Sequence, residues 1–325
     1  MNQQKLPLMK KLLLFISIIT CSIPAVCYTQ QDSQYTQYMY NTISVNPAYA
    51  GSRGILSIMG LYRTQWVGLD GAPSTQTLTL NSPINEKNKL GIGLSIINDA
   101  IGATNETNFN ASISYTIPVS RIGKLNFGVN AGGNLLNVDL ITLRRFNPDD
   151  SLLENNIDNK FSPNVGVGFY YHTNRFYLGI STPNLLETNH FNKDILSNID
   201  NQVSVFAKER VNYYFITGHV FEIVPYIKFK PAVLAKYIEG SPIQFDASAN
   251  FMFNEKFTIG TAYRWSKAVS AIAGFQISDS LMIGFSYDRE ITDLGQTRFN
   301  NGSYEAILRF ELKNNHHQFL TPRFF

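Results

Sequence analysis

From about Gly54 to Leu312 the chain repeats one unit, a stretch of about ten residues alternating apolar and polar, followed by a turn. Phe109, Ala111, Ile113, Tyr115 and Ile117 share one side of such a stretch, and Asn110, Ser112, Ser114 and Thr116 the other. Successive side chains of a β-strand point to opposite faces, so each stretch has one greasy and one wet face. In a soluble sandwich the greasy face would meet a second sheet. Here the wet faces are rich in Asn, Ser, Gly and Gln, and the greasy faces carry Phe and Tyr near their ends. That pattern fits lipid outside and a polar lumen inside.

Fourteen strand centres can be placed, at 56–62, 76–82, 90–98, 109–117, 125–135, 165–171, 176–182, 211–220, 226–237, 243–253, 257–265, 269–277, 281–287 and 304–312. The first two alternate poorly. Joins after strands six, eight, ten and twelve are tight, at 172–175, 221–225, 254–256 and 278–280. Those after strands five, seven and thirteen are long, at 139–164, 183–210 and 288–303. An up-and-down barrel puts even joins at one end and odd joins at the other, and bacterial barrels keep their short turns in the periplasm. The expected fold is therefore all-β, a transmembrane antiparallel barrel of about 14 strands in the outer membrane with both termini periplasmic. By the same alternation Glu305, Arg309 and Glu311 face the lumen, as do Asp246, Arg264, Asp288, Lys228, Lys230 and Lys236. Mixed signs suit internal crosslinking of a lumen better than ion selection.

The ends complete the organisation. Lys5, Lys10 and Lys11 precede an apolar run from Leu12 to Ile19 and small residues around Ala25. This is the layout of a secretory signal peptide over 1–27, with cleavage after Cys27. A lipoprotein reading is weaker, since Thr20 and Val26 precede the cysteines. Both cysteines, Cys21 and Cys27, fall within this segment, so the mature chain is expected to hold no disulfide and no thiolate metal site. A polar, tyrosine-rich segment covers 28–53, the barrel 54–312 and a periplasmic tail 313–325. The tyrosine-rich segment either fills the lumen as a plug or lies beneath the barrel. Tyrosine joins apolar area to a hydroxyl, which favours the plug.

The charge of +3 on 325 residues is too small to argue for nucleic acid. His316 and His317 are adjacent, and His172, His190 and His219 are scattered, without the spacing of a metal site. The expectation is a non-enzymatic protein without cofactor, surrounded by membrane lipid.

Specificity enters between the signal and the second strand. Gln37 to Asn41 reads Gln-Tyr-Met-Tyr-Asn, with Tyr38 and Asn41 inside it, and Asn46-Pro47-Ala48-Tyr49-Ala50-Gly51 follows. Then come Arg63, Gln65 and Trp66, and a group of Gly71, Ala72, Pro73 and Thr75; the chain ends in Thr321-Pro322-Arg323-Phe324-Phe325. In this order the motifs resemble the PorP/SprF family of outer-membrane proteins in the Bacteroidetes type IX secretion system.

From the residues alone, Trp66 suits an interface anchor, Arg63 suits a pair with a lumen carboxylate or with the N-terminal segment, and Gly71 and Pro73 suit a tight turn. The resemblance implies a component of the secretion and gliding machinery. It would support export or surface anchoring of cargo, such as an adhesin, through the cargo's C-terminal secretion domain, together with other components of the system. Asn155, Asn156, Asn189, His190 and Asn198 in the long joins are candidate cargo-facing residues. The alternative is a pore or transporter for small solutes.

Overall fold

The computed structural model describes residues 34–84, 89–142, 156–187 and 210–312. The segment 1–27 and the tail 313–325, with Pro322, Arg323 and Phe325, lie outside the described residues. The strands are β1 (Leu56–Thr64), β2 (Ser74–Pro83), β3 (Leu90–Ile101), β4 (Thr104–Pro118), β5 (Lys124–Val138), β6 (Ile157–His172) and β7 (Phe176–Thr182). They continue as β8 (Asn212–His219, resumed at Phe221–Val224), β9 (Ile227–Ile238), β10 (Gln244–Phe253), β11 (Phe257–Arg264), β12 (Ala268–Gln276), β13 (Leu281–Glu290) and β14 (Ser303–Leu312). The two parts of β8 face β9 in one register, since Gly218 opposes Ala232 and Phe221 opposes Phe229. They form one strand.

Each strand pairs antiparallel with its chain neighbours, and β14 pairs with β1 from Leu56 opposite Leu312 to Thr64 opposite Tyr304. The sheet is a closed barrel of fourteen strands. Closure leaves no strand edge, the condition for a sheet in hydrocarbon. Phe109, Ile113, Tyr115 and Ile117 are exposed on the outer wall, while Ser112 and Ser114 are buried inside. Glu305, Arg309 and Glu311 are buried within the lumen, as the alternation requires.

Two features depart from the sequence reading. β4 begins at Thr104 and β6 at Ile157, well before their apolar stretches. The β3–β4 hairpin closes where Ile101 opposes Thr104. Its outer part and the start of β6 carry Asn105, Asp158 and Asn159, all exposed. Strand that projects beyond lipid has water on both faces and loses the alternation that would mark it.

The second departure is the partly apolar inner wall; the plug that it meets is the reading the tyrosines favoured. Residues 34–55 run through the lumen as a plug containing one turn of helix, α1 (Thr42–Val45), and a 3-10 turn at Pro47–Tyr49. Tyr38, Met39, Tyr40, Ile43, Val45 and Tyr49 are buried there against inward-facing Met59, Leu61, Ile216, Leu234, Ile272 and Ile307. β1 alternates poorly for this reason: its inner face turns Met59 and Leu61 toward the plug. The inner wall is thus apolar where β1, β8, β9, β12 and β14 meet the plug's side chains.

Close approach fixes one wall position. A Cβ on Gly128 of β5 would lie 2.2 Å from the Ala48 amide nitrogen, whereas one on Gly60 of β1 meets nothing within 4 Å. Overpacking a filled interior costs about 1–3 kcal/mol. Gly128→Val is therefore expected to lower the temperature at which the folded barrel converts to its slow-migrating unfolded form on electrophoresis, and Gly60→Ala to leave it unchanged.

Candidate functional site: a latched plug beneath an outer vestibule

The plug is fastened at both ends of the lumen. At the seam between the first and last strands, Arg63 and Glu305 oppose each other in register. The Arg63 guanidinium lies 2.7 Å from Asp288 on β13 and 3.3 Å from Glu305. The Glu305 carboxylate also accepts the backbone N–H groups of Thr36 and Gln37, each at 2.9 Å. The Thr36 hydroxyl donates to Asp288 at 2.6 Å and accepts from Arg63 at 3.1 Å. All four side chains are buried. A buried carboxylate is tolerated when paired and hydrogen-bonded, and here the wall and plug supply those partners jointly.

The Asn46 to Gly51 group docks on the opposite wall. The Asn46 side-chain amide donates to the Phe169 carbonyl at 3.0 Å, and its oxygen accepts the Ala48 N–H at 2.9 Å. Pro47 opens the 3-10 turn. The Tyr49 ring meets Tyr170 edge-on at 5.4 Å. Gly51 has φ of +68°, and a Cβ there would lie 2.6 Å from the Gly91 Cα, so both the turn and the contact demand glycine. A segment with little helix leaves carbonyls to be satisfied from elsewhere. Ser181 donates to the Val45 carbonyl at 2.7 Å, Asn126 to Ala48 at 3.1 Å and Ser114 to Ala50 at 2.6 Å. Below these, Arg53 pairs with Glu311 at 2.6 Å.

These contacts give the plug a direction. Gln34 donates to Gln244 at 2.9 Å, and Arg264 donates to the Tyr35 carbonyl at 3.3 Å. Both partners lie at the strand ends served by the odd joins, which hold the long loops. Arg53 and Glu311 lie at the short-turn end. The first described residue, Gln34, therefore sits at the barrel end opposite Leu312, and the termini themselves lie outside the described residues. An even number of strands returns the chain to its starting end, but the plug adds one more pass through the lumen.

Above the plug, at the long-loop end, lies a vestibule of about 570 Å³ floored by Gln34 and Tyr35 and lined by both polar and apolar side chains. Trp66 belongs here and not to the lipid-facing girdle. Its φ is +49°, its backbone N–H donates to the Ser303 hydroxyl and its indole N–H to Glu290. Gln65 closes the β1–β2 join on the Pro73 carbonyl at 2.9 Å, with Gly71 at φ of +73°. Thr75, fully buried, donates to Asp99 at 2.5 Å. Tyr38 and Asn41 are buried in the plug; the Asn41 side chain accepts from Ser44 at 2.6 Å.

Of the loop candidates, Asn156 accepts the Ile141 N–H at 3.1 Å beside the mouth. Asn155, Asn189, His190 and Asn198 lie outside the described residues. Among the described residues no group of His, Cys, Asp and Glu could hold a metal ion.

The sequence reading missed Thr36, Ser114, Asn126 and Ser181 as plug contacts. For Ser114, Asn126 and Ser181 the only signal was a polar side chain on a wet face, which dozens of other positions share, and Thr36 lies in a segment without periodicity. Arg63→Ala leaves Asp288 and Glu305 buried without their cation, a loss of about 3–5 kcal/mol. Thermal unfolding should show it, with Arg63→Lys intermediate because lysine cannot bridge two carboxylates with a planar fork.

Comparison with known proteins places the chain. No curated protein sequence matches it. Among solved structures, the Acinetobacter baumannii outer membrane protein Omp33 is similar at a TM-score of 0.44 and 8% identity, covering 79% of this chain and 98% of that one. Salmonella typhi OmpF, solved in complex with daunomycin, gives 0.37 and 8%, covering 79% and 97%. A Pseudomonas aeruginosa FadL homologue gives 0.38 and 11%, covering 79% and 87%. The profile of one family matches residues 28–310, nearly the whole barrel and its plug. The chain belongs to the PorP/SprF family of type IX secretion system membrane proteins.

Proposed function

We propose that this outer-membrane barrel serves type IX secretion by binding, holding the C-terminal secretion domain of an exported cargo protein at its long-loop end. The observation that supports binding over conduction is the plug. Its residues from Tyr35 to Val45 are nearly all buried, and hydrogen bonds and ion pairs tie it to strands all around the barrel. A lumen so filled is an anchor and a platform. The short-turn end faces the periplasm in this reading, where it meets other components of the secretion machinery, and the long-loop end faces outward. Asn155, Asn156, Asn189, His190 and Asn198 are the proposed loop contacts to cargo, for which an adhesin of a gliding cell is the kind of protein expected. No enzymatic step is proposed.

Two measurements test this. Protein purified from native outer membranes in mild detergent should carry a surface protein bound through its C-terminal domain, and should give no steady large conductance in a planar bilayer. Steady channels from a barrel recovered alone would support a pore instead.

Orientation is tested separately by single cysteines in the mature chain. Gln34→Cys should react with a membrane-impermeant thiol reagent on intact cells, and Arg121→Cys in the β4–β5 turn only after permeabilisation. The reverse pattern would invert the proposed topology.

A further inference from the structure

Every pair of neighbouring strands but one is consecutive in the chain, and the join between two such strands limits how they can align. β14 and β1 have no join. Their alignment, from Leu56 opposite Leu312 to Thr64 opposite Tyr304, is set by other means. Lipid rules out a slip by one residue, because that turns Glu305, Arg309 and Glu311 outward. It does not distinguish a slip by two. The outer face of β14 reads Tyr304, Ala306, Leu308, Phe310 and Leu312, which is apolar wherever it is placed.

The inner face of β14 differs at each position, and each position meets the plug or β1 and its loop. The Ser303 hydroxyl accepts the Trp66 backbone N–H at 3.3 Å. Glu305 takes Arg63 and the N–H groups of Thr36 and Gln37. Ile307 is buried in the cluster that holds Tyr38, Met39 and Tyr40. Arg309 lies over the Tyr40 ring at 5.4 Å. Glu311 pairs with Arg53 at 2.6 Å and with Arg309 at 3.3 Å. Arg53 stands just before β1 and Arg63 within it, so both move with the first strand.

A slip by two breaks this pattern in either direction. In one, Ile307 takes the place of Glu305 beside Arg63, and Lys313, next in the alternation, takes that of Glu311 beside Arg53. In the other, Ser303 replaces Glu305 and Arg309 replaces Glu311. Both put a cation against the buried Arg53, and both leave Arg63 and the Thr36 and Gln37 N–H groups without the Glu305 carboxylate. Uncompensated buried charge is strongly destabilising.

We propose that the N-terminal plug sets the register in which the barrel closes, accepting the one alignment that places Glu305 at Arg63 and Glu311 at Arg53. Gln37, Tyr40 and Arg63, which the cargo reading does not use, thereby have a role in assembly.

Cysteine pairs on the lipid-facing side of the seam report the register. Opposed residues of an antiparallel pair lie about 4.5–5.5 Å apart, within disulfide reach, and diagonal ones about 7–8 Å, beyond it. Gly60→Cys with Leu308→Cys reports the native alignment. Gly60→Cys with Ala306→Cys, or with Phe310→Cys, reports a slip by two. Full-length protein assembled in cells would be oxidised in the outer membrane with copper phenanthroline, and the linked fraction of folded barrel measured by mass spectrometry of its peptides.

Arg53→Glu sets two acids together in the native register and an acid beside a cation in either slipped one. It should raise the slipped fraction about tenfold or more. Adding Glu311→Arg should return the native register. Ser181→Ala, which loosens the plug away from the seam, should leave the register native. Where Arg53→Glu does not assemble, Glu311→Gln carries the same expectation with little change of shape. Native linkage alone in these folded variants, no recovery in the charge-swapped pair, or equal slippage in Ser181→Ala would overturn the proposal.

Discussion

The carboxylate of Glu305 is where barrel closure and plug placement become one problem. It stands on the last strand, receives Arg63 from the first, and accepts two backbone N–H groups from the plug. Taking a carboxylate out of water costs several kcal/mol unless its lone pairs are all engaged. Neither the wall nor the plug can engage them alone. Without the plug, Glu305 keeps one long contact to Arg63. Without Arg63, Glu305 and Asp288 become two neighbouring buried anions. The seam that closes the sheet and the segment that fills it therefore specify each other.

The rest of the lumen follows from that placement. Once the plug starts at the seam, its apolar and tyrosine side chains cover the inward faces of β1, β8, β9, β12 and β14, and its carbonyls find Ser114, Asn126 and Ser181. Charges also pair across neighbouring strands, as Asp246 and Arg264 do at 3.0 Å. Lys230 and Lys236 instead lie over tyrosine rings, at 5.7 Å from Tyr40 and 5.5 Å from Tyr214, an arrangement that favours a cation. Among the described residues the plug leaves a space at the long-loop mouth, lined by both polar and apolar side chains.

Much of this was legible in the sequence because lipid imposes a hard rule. Each strand within it must alternate, so Phe109 to Ile117 and Tyr304 to Leu312 read unambiguously. The charges at Asp288, Glu305, Arg309 and Glu311 were assigned to the lumen by parity alone. Legibility ended where the rule did. Thr104–Asn108 and the start of β6 project past the lipid, and Met59 and Leu61 face a plug whose path no periodicity encodes. Arg63 was legible as a residue needing a carboxylate, but its partners lie 225 or more positions away and only closure of the barrel brings them together. Trp66 misled because a girdle and a mouth both favour a half-buried indole. The direction of the plug was invisible for a simpler reason: an irregular segment carries no sign of which way it crosses.

The central claim is that cargo is served by binding to a barrel whose plug stays in place. A Cβ on Gly93 of β3 would lie 3.4 Å from the Ala50 Cβ of the plug, close to the separation a disulfide needs, so a Gly93→Cys/Ala50→Cys pair can tie plug and wall together in cells. The most direct measurement is surface display of cargo before and after oxidation of this pair. Display unchanged with the plug locked is the expected result. Display lost on oxidation and restored by reduction would mean that the plug must move for export, and would contradict the claim.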